Sequence, residues 1–202
     1  MPEITAIVLA AGRSSRWRAA GGSGESKLLA EFGDAPVVRR VVEASLASSV
    51  HTTIVVLGHA ATQVREALSG PSVHFVENPD FAEGMSTSLR VGLAAVPATA
   101  EAVVVLLGDM PRVRAETIDA LIDALVASPQ AAAVIPVVEG RRGNPVLLRR
   151  ELFPALQRLE GDKGAKPVLD ALERSRIVEI EMDWDCALDV DTPDALRTAK
   201  LF

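Results

Sequence analysis

Cysteine is all but missing: Cys186 stands alone in 202 residues. No intramolecular disulfide framework can form, and a reducing compartment suits the chain. Its neighbours Trp184, Ala187 and Leu188 make Cys186 read as a buried structural thiol rather than a nucleophile. Aromatic residues are scarce at 3%, against 49% hydrophobic overall. The core must therefore be built from Val, Leu, Ile and Ala, the usual filling of a parallel sheet covered by helices. The three histidines, His51, His59 and His74, are scattered without metal-ligand spacing, and neither a Ser-His-Asp nor a Cys-His assembly is suggested. Positive charge is in deficit, with 21 Lys and Arg against 27 Asp and Glu and a formal net charge of −6. That balance argues against a general nucleic-acid binder. No apolar stretch approaches the roughly 20 residues of a membrane span, and the N-terminus lacks a signal-peptide core. A soluble, cytoplasmic protein is expected.

What is present is an alternation. Apolar runs of strand length at 4–10, 53–57, 73–76, 102–107, 132–138, 145–148 and 176–181 are separated by helical patterns at 36–48, 60–68, 85–95, 115–127, 149–157, 165–173 and 193–200. Such alternation predicts an α/β fold, Rossmann-like and doubly wound, with a mostly parallel sheet and helices on both faces. Ile118, Leu121, Ile122 and Leu125 recur at helical spacing and mark a helix that covers the sheet. No Pro-, Ser- or charge-rich linker divides the chain, so residues 1–202 read as one domain. The glycine-punctuated stretch 137–167 reads as a lid-like or acceptor-binding excursion within it.

The most distinctive segment follows the first strand: Leu9, Ala10, Ala11, Gly12 and Arg13 lead on to Arg16 and, further along, Lys27. A buried strand ending in a glycine-bearing turn exposes backbone N–H groups, and the cations beside them make a site for polyphosphate. Ala10, Ala11 and Gly12 are small enough for a nucleotide to approach the backbone, and Gly12 suits the positive φ of a sharp turn. A plain solvated basic loop is the alternative. The GxGxxG and Walker patterns are excluded, since Ser14 and Ser15 stand where glycines are required and Lys27 lies between Ser26 and Leu28. The stretch Ala19–Gly24, holding Gly21, Gly22 and Gly24, reads as a flexible insert, and Lys27 is expected to be mobile without ligand.

Further candidates sit in other loops. Asp109, in Gly108-Asp109-Met110-Pro111, follows the apolar run 103–107, where a carboxylate would hold Mg²⁺ on a triphosphate or merely cap a turn. Asp189 and Asp191 alternate in extended chain and face one way, with Asp191 either a metal ligand or the N-cap of the last helix. Asn78 to Arg90 contains Gly84, Met85, Ser86 and Ser88, which open a helix with free N–H groups, or form an ordinary capped loop. Arg142, Asn144 and Pro145 form one basic, glycine-flanked loop; Asp162 and Lys163 form another. Both are equally compatible with plain solvated surface.

LAAGxSxR with a downstream lysine resembles the opening of the MobA-like nucleotidyltransferases. The GDMP, NPxxxxGMxxSL and DxDTPxD stretches are similar to those of the molybdenum cofactor cytidylyltransferase branch. The resemblance implies transfer of CMP from CTP onto a molybdenum-pterin phosphate with release of pyrophosphate. It implies Arg16 and Lys27 as catalytic residues and Mg²⁺ on Asp109 and Asp191. Nucleotide contacts would come from Leu9, Ala10, Ala11, Gly12, Arg13, Asn78, Gly84, Met85, Ser86, Ser88 and Gly108. Acceptor contacts would come from Arg142, Asn144, Pro145, Asp162 and Lys163. The chain departs from the branch in placing Lys27 eleven residues after Arg16, in Asn144 where a histidine is common, and in Lys166 where an arginine is. Ala11 and Gly84-Met85-Ser86 favour cytosine over guanine.

Three rival functions remain open. They are guanylyl transfer to the same pterin, transfer to a sugar phosphate, phospholactate or polyol phosphate, and a non-catalytic, chaperone-like cofactor carrier for a molybdoenzyme.

Overall fold

The computed structural model describes residues 2–183 and 188–201. The reading of Cys186 and its neighbours Trp184 and Ala187 falls outside that range. The main sheet contains β1 (Ile4–Ala10), β4 (Thr52–Leu57), β5 (His74–Glu77), β6 (Ala102–Leu107), β7 (Ala133–Val138), β9 (Val146–Arg149) and β10 (Ile177–Glu181). These strands lie in the order β10-β7-β9-β6-β1-β4-β5. A short β8 (Arg141–Arg142) pairs with β7, and β2 (Glu31–Phe32) with β3 (Ala35–Pro36) makes a separate antiparallel hairpin. All pairings along the main path are parallel except those of β9, which is antiparallel to both β6 and β7. The expected α/β, mostly parallel sheet is therefore what the chain forms.

Alternation of side chains along each strand divides the core into two layers. From β1, Ile4, Ala6, Val8 and Ala10 face one side, where α2 (Val37–Ala47), α3 (Ala61–Ala67) and α5 (Ala115–Ala127) pack with Val41, Val64 and Leu121. Ile7 faces the other, against Leu89 of α4 (Met85–Ala94), Leu156 of α6 (Phe153–Leu156) and Leu169 of α7 (Lys166–Asp170). Each fully buried Val, Leu or Ile stabilises the fold by about 1.5–3 kcal/mol. The helices thus cover both faces, as the sequence pattern predicts.

Two expected helices are shorter than their patterns. The 149–157 stretch becomes a 3₁₀ turn, Arg150–Leu152, followed by the four-residue α6, while 165–173 contracts to α7. Pro154 and Pro167 stand in the first turns of α6 and α7, which fixes where each helix starts. The excursion 137–167 also divides. Its middle, β9, is an interior strand of the sheet, which leaves the loops 139–145 and 157–165 on either side.

The register of the central strands places the functional loops. Leu9 of β1 stands opposite Leu107 of β6, so the chain leaves both strands at the same level. The Gly108 amide donates to the Leu9 carbonyl at 2.9 Å, and a Cβ at position 108 would come equally close to that oxygen. Gly108 therefore lets the two turns lie against each other, and Asp109 is delivered beside residues 11–16.

Candidate active site

Beyond the carboxyl ends of β1 and β6 lies a cavity of about 550 Å³. This is where open parallel sheets bind ligands. Leu9, Ala11, Gly12, Arg13, Arg16 and Lys27 line one side, and Asp109, Asp189 and Asp191 another. Gly84, Met85, Ser88 and Asp162 close a third. Residues separated by more than 160 positions in sequence thus share one space.

The centre of the cavity is an ion cluster. The Lys27 ammonium donates to Asp109 Oδ2 and to Asp191 Oδ1, each at 2.5 Å. The Arg16 guanidinium pairs with the other oxygen of Asp191. Burial alone would lower the Lys27 pKa, but Asp109 and Asp191 outweigh it and hold the ammonium above its ordinary value. For Asp191 burial pushes upward, while Lys27 and Arg16 override it and keep the carboxyl below its ordinary value. Asp189 moves the other way: burial, then repulsion from Asp191 and Asp109, raises it. Lys27 and Asp191 are therefore held in their charged forms, while Asp189, beside two carboxylates and only partly offset by Lys27, takes up a proton more readily than a free aspartate.

The backbone explains why these groups meet. The left-handed residue of the first turn is Ser14, at φ 52°, whereas Gly12, expected to supply that conformation, does not adopt it. Ser14 Oγ accepts from the Lys27 amide at 3.1 Å and lies 3.3 Å from Ser26 Oγ, clasping the two ends of the insert. The insert is also folded, contrary to the flexible loop its glycines suggest. Trp17, on the short α1 (Ser15–Ala19), is 2% exposed and donates from Nε1 to the Ser23 carbonyl. Gly22 lies flat on the indole, since a Cβ there would meet the ring at 2.4 Å. Lys27 is correspondingly seated between Asp109 and Asp191, with its side chain 12% exposed.

At the C-terminal end, Asp189 and Asp191 both line the cavity, while Val190 between them packs with Trp17, Val37 and Ala199. The Val190 amide donates to the Asp109 carbonyl at 2.8 Å, locking the two acidic segments together. Asp191 is not the cap of the last helix, α8 (Pro193–Ala199). Thr192 is, its hydroxyl accepting from the Ala195 amide at 3.1 Å. Thr192→Ala should accordingly cost about 1 kcal/mol and lower the thermal midpoint by roughly 2–4 °C. Asp191→Asn should leave α8 unfrayed, which far-UV circular dichroism during melting would check.

The other expected site residues separate into two groups. Ala10, Asn78, Ser86 and Gly108 support the cavity without lining it. Asn78 is 2% exposed; its amide donates to Thr87 Oγ1 and Ser88 Oγ and its oxygen accepts from the Asp80 amide, so it ties the end of β5 to α4. Of the expected acceptor contacts, only Asp162 reaches the cavity. Arg142 instead pairs with Glu179 at 2.7 Å and stands 3.9 Å from Asp170. Asn144, Pro145 and Lys163 are also outside the lining. Ser14, Trp17 and Phe81, which also line it, escape the sequence reading. Trp17, one of two tryptophans in a chain this poor in aromatics, was the available hint.

Comparison with known proteins gives the family. Residues 6–176 match the MobA-like NTP transferase domain. The chain is 30% identical to the molybdenum cofactor cytidylyltransferase of Escherichia coli K12, over 99% of this chain and 97% of that protein. It is 34% identical to the bifunctional protein GlmU of a Psychrobacter strain, but covers 26% of that longer protein. Among solved structures, Rv0371c of Mycobacterium tuberculosis H37Rv superposes with a TM-score of 0.85 at 32% identity, covering 100% of this chain and 99% of that one. A second structure of Rv0371c, in complex with manganese, superposes at 0.78 with 32% identity, covering 98% of each chain. With the cation and carboxylate cluster seated where its fold places ligands, the chain belongs to the MobA-like NTP transferase family.

Proposed function

We propose that this chain transfers CMP from CTP to the phosphate of a molybdenum-bearing pterin. A phosphate oxygen of the acceptor attacks the α-phosphorus of CTP, a new P–O–P bridge forms, the α–β bridge breaks, and pyrophosphate leaves with the electron pair. The observation that carries this reading is the convergence of Arg16, Lys27, Asp109 and Asp191 in one cavity at the ends of β1 and β6. An acceptor phosphate is already ionised at neutral pH, so the site needs no strong base. Positioning and charge neutralisation do most of the work in phosphoryl-type chemistry.

The cavity is lined by three cations, Arg13, Arg16 and Lys27, and four carboxylates, Asp109, Asp162, Asp189 and Asp191. It is formally anionic, and a triphosphate would be repelled without a further cation. Asp109 Oδ1 is buried without a hydrogen-bond partner, and the Lys27 ammonium between Asp109 and Asp191 marks a place suited to positive charge. Among the described residues no cluster of three or more His, Cys, Asp or Glu could hold a metal unaided. Mg²⁺ takes one or two carboxylates and fills its shell with water and substrate phosphates. Asp109 and Asp191 would hold it, and when bound it would neutralise phosphate charge. Arg16 and Lys27 then face the charge that builds as the bridge breaks.

The choice of CTP is supported by the E. coli cytidylyltransferase relative. It is supported as well by Ala11, Gly84 and Met85, which line the cavity. With equal CTP and GTP and the molybdenum pterin as acceptor, pyrophosphate release should come predominantly from CTP. GTP winning by tenfold, about 1.4 kcal/mol, would move the chain to guanylyl transfer. Release with a sugar phosphate but not the pterin would reassign the acceptor, and nucleotide binding without any release would leave a cofactor carrier.

A further inference from the structure

The residue that opens α4, Gly84, has φ 124° and no side chain, so it cannot cap its own helix. Its first-turn N–H groups must find acceptors elsewhere. They do so on a loop more than seventy residues away: Met85 N–H donates to Asp162 Oδ1 at 3.0 Å, and Ser86 N–H donates to the Gly161 carbonyl at 3.0 Å. The approach is close enough that a Cβ on Gly84 would lie 2.6 Å from the Gly161 carbonyl carbon. On the far side, a Cβ on Gly164 would lie 3.1 Å from the Met85 sulfur. Gly84, Met85, Ser88 and Asp162 all face the cavity.

We propose that Asp162 is a positioning residue that caps α4 from another loop, so that loop 161–164 holds the nucleotide-side turn 84–88 in shape. This rests on the reading of the cavity as a nucleotide site. It gives Asp162 a different role from the acceptor contact its motif suggests: its carboxylate is engaged by the backbone of α4. Because both loops border one cavity and share these contacts, whatever orders one favours the other, and such coupling is reciprocal.

Asp162 is exposed, so replacing it should not disturb the core. In the full-length chain with Mg²⁺, calorimetric titration with CTP alone should show Asp162→Ala weakened about tenfold. Asp162→Asn, which keeps an oxygen to accept from Met85, should stay within about twofold of the parent, since Asn and Asp cap equally well. Amide exchange at Met85 and Ser86, measured without nucleotide, should quicken in Asp162→Ala and not in Asp162→Asn. Unchanged CTP affinity in Asp162→Ala, equal loss in both variants, or unchanged exchange would each overturn the proposal. A parent chain that binds no nucleotide while the exchange pattern holds would overturn the functional reading and leave the cap standing.

Discussion

Asp109→Asn should lower turnover by about 10³-fold while leaving the fold and its thermal midpoint close to those of the parent chain. The size follows from the position. One Asp109 oxygen holds the Lys27 ammonium, and the other is buried without a partner. Asparagine keeps the shape but removes the charge that a cation on the triphosphate needs, and losing one preorganised charge contact costs on the order of 10²–10³-fold in rate, with loss of metal retention adding to it. Stability should hold because Asp109 lies in the loop beyond the carboxyl end of β6, outside the apolar core, and Lys27 keeps Asp191 as a partner. Steady-state pyrophosphate release across a Mg²⁺ titration checks this. Near-parental turnover at ordinary Mg²⁺ would remove Asp109 from the chemistry.

Lys27→Ala should cost about 10²–10³-fold in kcat and much less in CTP affinity. The lysine already has two carboxylate partners in the free protein, so whatever it gains from phosphate must be offset against contacts it gives up. Its net contribution is therefore largest where new negative charge appears, on the departing pyrophosphate. Removing it also leaves Asp109 and Asp191 facing each other without their shared counter-ion, and breaking such a pair is destabilising. The variant should melt earlier than the parent and recover part of the difference when Mn²⁺ or Mg²⁺ is added. Single-turnover rates beside equilibrium CTP binding separate the two effects. A variant that loses affinity and keeps its rate would make Lys27 a simple binding group.

The insert between Arg16 and Lys27 shows where sequence stops being informative. Gly21, Gly22 and Gly24 read as flexibility, yet Gly22 is small because it lies against Trp17, and Ser23 accepts from the same indole. Deleting Ala19–Gly24 would therefore remove the support of the loop along with its excess length. The strands were legible because unbroken runs such as Val103–Leu107 have one stable fate, burial within a sheet. The direction and place of β9 were not. An apolar run of four reads the same whether it joins the sheet parallel or antiparallel, and only the pairing with β6 and β7 decides. Helix α1 escaped notice because its five residues, SRWRA, carry a single apolar anchor and no periodicity.

The site was legible in the same uneven way. Arg16, Lys27, Asp109 and Asp191 could be picked out because they stand in stretches that resemble the family's motifs, and the fold brings the four together in one cavity. Asn78 and Asp162 belong to distinctive motifs too, but their side chains are spent on the backbone and hydroxyls around α4. A motif gives position, whereas the hydrogen-bond partner that decides a role lies elsewhere in the chain. Arg142 shows the opposite limit: its charge is met by Glu179 on β10, a partner that no local pattern around residue 142 reveals.

The most direct test follows the α-phosphorus. CTP labelled there, incubated with the molybdenum pterin phosphate and Mg²⁺, should place its label on the pterin product and release unlabelled pyrophosphate in equal amount. Label appearing as free CMP beside unchanged pterin, or a γ-label found on the acceptor, would contradict nucleotidyl transfer at this site.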